Sequence, residues 1–161
     1  MLVKLLQLFF KLLFRVTVNT SGQTVPPEKL LIIANHESFL DGLLLGLFLP
    51  IRATFVVHTG ILKIWYFRLI LRHVPHLAVD PTSPLAMKKV IKLLEEGKPV
   101  VIFPEGRLTM TGSLMKVYDG PAFVAAKSGA TILPVRLDGP ARSYFSRLSG
   151  NYPRTFFPRI T

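Results

Sequence analysis

Cysteine is absent from the 161 residues, which excludes disulfides and thiolate metal sites and agrees with a reducing compartment. Acidic residues are scarce: 9 Asp and Glu stand against 20 Lys and Arg, a net charge of +11. That imbalance suits a polyanionic partner, either nucleic acid or an anionic bilayer. No run of 18 uncharged apolar residues occurs, so no classical spanning helix is predicted. Only 18% of the residues are charged and 50% are apolar, which excludes a disordered chain and exceeds the apolar content that one soluble domain needs. The apolar excess favours the bilayer over nucleic acid, and no helix-turn-helix, zinc-finger or stacking-sheet signature is present.

What is there begins with an amphipathic stretch. Across residues 1–16 the polar positions are Lys4, Gln7, Lys11 and Arg15, which fall on one narrow stripe of a helix. Leu, Val and Phe occupy nearly all the rest of the cylinder. A helix of this kind is expected to lie in a membrane interface, with its cations reaching lipid phosphates. The competing reading is a helix packed on the core. A signal peptide fits less well, because Lys11 interrupts the apolar stretch and no small-residue cleavage pattern follows closely.

Beyond it, short apolar runs alternate with helical patterns. Residues 14–18, 30–34, 53–57, 100–103 and 132–137 read as strands, and 39–48, 62–72, 84–96 and 121–128 as helices. Pro84 suits a first helical turn, while Gly97 and Gly129 suit helix ends. The alternation predicts an α/β domain over 17–161, with a mostly parallel central sheet flanked by helices. Residues 21–28 and 108–120 read as loops, and 149–161 has no clear stop signal, as if the chain were cut before its natural end.

Two clusters carry chemistry. Asn35, His36 and Asp41 stand where the 30–34 strand passes into a helix, placing Asp41 in the first helical turn, within reach of the His36 ring. A carboxylate accepting from one ring nitrogen fixes the tautomer and leaves the other nitrogen to take a proton. The N–H groups of that helix start are expected to stabilise an oxyanion. At the end of the 100–103 strand stand Phe103, Pro104, Glu105, Gly106 and Arg107. Pro104 and Gly106 turn the backbone, and Arg107 suits a bidentate phosphate contact, or else pairs with a surface carboxylate.

NHxxxxD, FPEGR about 65 residues later, and the strand Ile132, Leu133, Pro134, Val135 resemble three of the four signature blocks of the glycerolipid acyltransferase family. The segments ANHESFLDGLLLGLFLP, VIFPEGRLTMTGSLMKVYDGPAFVAAKSGATILPVR and VDPTSP resemble more closely the N-terminal acyltransferase domain of bacterial bifunctional 2-acylglycerophosphoethanolamine acyltransferase/acyl-ACP synthetases, in which a ligase domain follows. The resemblance implies that His36 deprotonates an acceptor hydroxyl and that Asp41 orients it. It further implies that Glu105 and Arg107, about Gly106, hold a glycerophosphate, and that Pro134 lies in a block lining the acyl-donor side. A lysophospholipid acceptor is implied, 2-acyl lysophosphatidylethanolamine first and lysophosphatidic acid as the alternative. The implied donor is acyl carrier protein or coenzyme A thioester, or else another phospholipid, with no cofactor. The implied location is a bacterial inner membrane at its cytoplasmic face. The sequence has no GxSxG elbow to present a nucleophile, in keeping with direct transfer.

One block departs from the family pattern. Where many members carry Arg after an Ile-Asp or Val-Asp pair, this chain reads Val79, Asp80, Pro81, so a phosphate contact is missing. Lys116, Lys63 and Arg68 are candidates to replace it. Trp65, Tyr66 and Phe67 read equally as a membrane-contacting patch or a packed helix face. His58, His73 and His76 have no ligand partner at metal-binding spacing, so no metal is expected. A non-catalytic membrane module and a basic nucleic-acid binder remain the readings from other classes.

Overall fold

Leu30–Ala34 forms β1, five apolar residues that stay extended because both faces of the strand are covered. In the computed structural model, which describes residues 2–20, 22, 28–80, 83 and 85–161, β1 lies inside a five-stranded sheet. The other strands are β2 (Thr54–His58), β3 (His76–Val79), β4 (Val100–Ile102) and β5 (Thr131–Val135). Their order is β3-β2-β4-β1-β5 and every pairing is parallel. The predicted α/β class with a mostly parallel sheet is therefore what the chain adopts.

Helices cover both faces. On one side Leu45 of α2 (Leu40–Phe48) packs on Leu30, Ile32, Ala34, Phe55 and Val101. On the other, Val90 and Leu94 of α4 (Leu85–Glu95) and Val124 of α5 (Gly120–Ser128) pack on Leu31, Val100 and Ile102. Burying each such side chain contributes about 1.5–3 kcal/mol. Gly129, at φ 65°, ends α5 in the left-handed conformation that glycine adopts without strain. Pro84 lies outside the described residues, as do Pro81 and most of the 21–28 loop.

The N-terminal helix is α1 (Leu2–Phe14). It seats on α2 through a narrow stripe: Phe10 and Phe14 join Leu40, Leu44, Leu47 and Ile160 in a third core, and the Gln7 side chain donates to the Leu47 carbonyl at 2.6 Å. Val3, Leu5, Leu8, Phe9 and Leu12 remain exposed. No described helix is long and apolar enough to cross a membrane.

Two expectations need correction. Residues 14–18 do not form a strand. Phe14 closes α1, Arg15 takes φ 48°, and the chain then exchanges only isolated bonds with the last residues, such as Thr17 N–H to the Ile160 carbonyl. An apolar run without a sheet neighbour cannot build a ladder. Conversely, β3 carries little signal in the sequence, because it has four residues, follows Pro75, and lies at the sheet edge with His76 exposed. The helix expected over 62–72 divides into a 3₁₀ turn (Thr59–Lys63) and α3 (Trp65–Leu71).

Strands β1 and β4 are neighbours, yet the connections leaving them diverge. From β1 the chain crosses to β2 by way of α2 on one face, and from β4 it crosses to β5 by way of α5 on the other. Such a divergence opens a crevice at the carboxyl ends of the strands. Both chemical clusters are placed there.

Candidate active site

The turn after β1 is built around one buried carboxylate. Asp41, 0% exposed in the first turn of α2, uses a single oxygen, Oδ2, to accept from the N–H groups of Glu37 at 2.6 Å and Ser38 at 2.8 Å. The same oxygen lies 2.9 Å from His36 Nδ1. Three short bonds to one atom fix the backbone and the imidazole together, and a carboxylate there holds the Nδ1 proton toward itself. Nε2 makes no hydrogen bond among the described residues. Asp41 Oδ1 is buried with no partner among them.

The ring's face is supported as well as its edge. Phe103, the residue after β4, stacks on the imidazole with centroids 4.1 Å apart and planes 17° from parallel. With the edge bonded and the face stacked, rotation about the side chain is restricted. The ring retains 22% exposure.

Glu105 lies beneath this turn. At 2% exposure, its Oε1 accepts the His36 N–H at 3.0 Å and its Oε2 accepts the Met115 N–H at 3.2 Å. Both oxygens thus serve the backbone, one on the His36 turn and one on the long loop after β4. Glu105 is expected from the sequence to help hold a glycerophosphate, and its carboxylate here is a buried acceptor engaged by two backbone amides. Gly106, at φ 65°, allows the turn, and a Cβ there would stand 3.3 Å from Tyr118 Cε2. Arg107 is exposed beside the turn.

The sequence matches the Acyltransferase family across residues 15–138. The chain belongs to the acyltransferase family. It is 35% identical over 115 residues to the chloroplastic 1-acyl-sn-glycerol-3-phosphate acyltransferase LPAT1 of Arabidopsis thaliana, covering 68% of this chain and 32% of that protein. With the 1-acyl-sn-glycerol-3-phosphate acyltransferase of Pseudomonas aeruginosa it shares 29% identity over 119 residues, covering 70% and 46% respectively. The chain thus spans from 32% to 49% of the length of the curated relatives it matches. The crystal structure of the 1-acyl-sn-glycerophosphate acyltransferase PlsC from Thermotoga maritima shares the fold, with a TM-score of 0.69 at 23% identity over 98% of this chain and 65% of that one.

In this member of the family the amides at the start of α2 are not free, against the expectation that they stabilise an oxyanion. Besides the two N–H groups bound to Asp41, Phe39 N–H donates to the Phe145 carbonyl, Leu40 N–H to Ser38 Oγ and Asp41 N–H to the Ser38 carbonyl. No donor from 37–41 is left for an oxyanion. Lys116 sits on the loop after β4 with its ammonium 5.2 Å from the Tyr118 ring centroid. Pro134 is not joined to the imidazole. Leu133 and Val135 pack into the α2 side of the core, so Pro134 between them faces the opposite side of edge strand β5 and is exposed.

The sequence assigned no role to Asn35 or Glu37. The Asn35 amide copies a peptide: its Oδ1 accepts the Leu137 N–H and its Nδ2 donates to the Leu137 carbonyl, both at 2.8 Å, extending the β1–β5 pairing beyond Ala34 and Val135. Glu37 accepts from Asn35 Nδ2 at 3.1 Å and from Ala141 N–H at 3.2 Å. Burial pushes the Glu37 carboxyl above its ordinary value, and the nearby charges of Asp41 and Asp138 add to the rise. The NHxxxxD block signalled the neighbourhood of both residues, but not their partners about a hundred residues away. Among the described residues no group of three or more side chains is arranged to hold a metal.

Proposed function

We propose that this domain transfers a fatty acyl group onto the free hydroxyl of a lysophospholipid at a membrane surface. The observation that carries the reading is the His36 ring, bonded at Nδ1 to a fully buried Asp41 and partly open to solvent. Nε2 takes the proton of the acceptor hydroxyl as its oxygen attacks the carbonyl carbon of an acyl thioester. The new C–O bond forms, the C–S bond breaks, and the imidazolium returns its proton to the departing thiolate. Asp41 offsets the positive charge that His36 carries between those events. Arg107 serves the acceptor phosphate as a charge-assisted donor.

The names of the relatives favour 1-acyl-sn-glycerol 3-phosphate as acceptor, ahead of the lysophosphatidylethanolamine expected from sequence. The second reading keeps one specific support: Pro81 stands where many members have the phosphate-binding Arg, which suits a head group with a second substituent on phosphorus. Acyl carrier protein or coenzyme A thioesters are the donors under either reading. The exposed apolar side of α1, with Lys4 and Lys11, fits an anionic bilayer such as the cytoplasmic face of a bacterial inner membrane.

The test is acyl transfer from labelled acyl-carrier or coenzyme A thioester to each lysolipid in detergent, comparing wild type with His36→Ala. General-base assistance is worth about 10²–10⁴-fold, so the variant is expected to lose that much turnover while keeping substrate affinity. Undiminished turnover in His36→Ala overturns the mechanism.

A further inference from the structure

We propose that α3 is a second bilayer anchor, inserted beside the mouth of the active site and separate from α1. This rests on the membrane reading above, but not on the acyl-transfer chemistry. Helix α3 has seven residues and buries none of them, so its own hydrogen bonds and its contacts with the domain are a weak basis for stability in water. Phe67 reaches inward, its ring 5.1 Å from that of Phe39, and Leu71 lies on the same side at half-burial. The 3.6-residue period then turns Trp65, Tyr66, Leu69 and Ile70 outward. They are 72%, 46%, 52% and 42% exposed, an apolar crest along the whole helix.

The borders of the crest are cationic. Arg68 and Arg72 line, with Trp65 and Leu69, an open groove of about 170 Å³. From Gly42 to Val79 the chain contains no Asp or Glu, while it carries Arg52, Lys63, Arg68 and Arg72. An apolar crest edged by arginines, with an indole and a phenol at its start, matches the layering of an anionic interface: acyl chains, then aromatic belt, then phosphates. An acidic protein would satisfy the arginines but would leave the Tyr66 and Ile70 side of the crest in water. The bilayer covers both. Helix α1 shows the same chemistry from a separate stretch of chain.

Position gives the anchor its use. Phe39, held between Phe67 and the Arg147 guanidinium 5.2 Å from its ring centroid, stands two residues before Asp41. Insertion of α3 therefore sets the catalytic turn at the lipid surface.

Trp65 is the single tryptophan of the chain, so its fluorescence reports on α3 alone. With phosphatidylglycerol-containing vesicles the full chain is expected to co-sediment, its emission to shift to the blue, and brominated lipid to quench it, each effect fading as salt rises. Leu69→Glu is expected to lower partitioning by about tenfold or more and to abolish the quenching, with the melting temperature unchanged. Co-sedimentation without a Trp65 shift or quench overturns the proposal and leaves α1 as the anchor. A Trp65 response to acyl carrier protein but not to vesicles overturns it in favour of protein docking. Failure to bind the vesicles at all overturns the membrane reading as well, and turnover in detergent judges the chemistry independently.

Discussion

The His36 N–H donates to Glu105 Oε1 at 3.0 Å, a bond spanning 69 residues that joins the loops after β1 and β4. Because Oε2 accepts from Met115, Glu105→Gln can satisfy one of the two amides, and its own NH₂ then faces the other. Leaving a buried donor unmatched costs about 1–3 kcal/mol. Denaturant unfolding is expected to show that loss, and steady-state kinetics a fall in kcat with the acceptor KM unchanged. A raised acceptor KM at constant kcat would instead return Glu105 to the head group.

Asp41→Asn separates charge from geometry. All three bonds go to Oδ2, so an asparagine oxygen placed there keeps the two backbone donors and the Nδ1 proton. What disappears is the negative charge opposite the imidazolium, while the new NH₂ occupies the site of Oδ1, which has no partner. Turnover is expected to fall by about 10²-fold or more, with a stability loss of about 1–3 kcal/mol on urea unfolding. Wild-type turnover in this variant would remove Asp41 from the mechanism.

Phe103→Leu removes the ring stacked on His36 while keeping an apolar side chain. Phe103 is only half-buried, so the lost ring volume costs less stability than a truncation deep in the core. Turnover is expected to drop more than stability does, and Phe103→Tyr is expected to restore it. Equal rates in Leu and Phe forms would show that the Asp41 bond alone orients the ring.

Glu37 predicts a pH dependence. Burial, then the Asp41 and Asp138 charges, raise its carboxyl above the ordinary 4.5, against the lowering effect of the Ala141 N–H and the Asn35 amide. A raised carboxyl favours the protonated form in the fold, so its contribution is complete below 4.5 and is lost as pH climbs through the raised value. Melting temperatures from acid toward neutral pH are expected to carry this downward component. Glu37→Gln, neutral throughout, is expected to lack it, and an identical pH slope in both proteins would dismiss the assignment.

Arg107→Ala is expected to weaken use of a phosphate-bearing acceptor more than use of the acyl donor, because the exposed guanidinium is free to meet a phosphate beside the catalytic turn. Separate KM determinations for acceptor and donor decide it. Equal losses for both would count against the role.

The sequence by itself determined the parallel α/β class and the partnership of His36 with Asp41. Both depend on local spacing: apolar runs bounded by turns, and a carboxylate within one helical turn of the ring. The same local logic misread 14–18 as a strand and passed over His76–Val79, since whether an extended run pairs depends on neighbours distant in the chain. Only the tertiary structure decided that Glu105 holds backbone amides, that Phe103 faces the imidazole, and that the amides opening α2 are already engaged. The contacts of His36 with Glu105 and Phe103, and of Phe39 with Phe145, join residues dozens of positions apart. A hydrogen bond or a ring contact exists only where the fold brings both partners within reach, and no pattern along the chain states that distance.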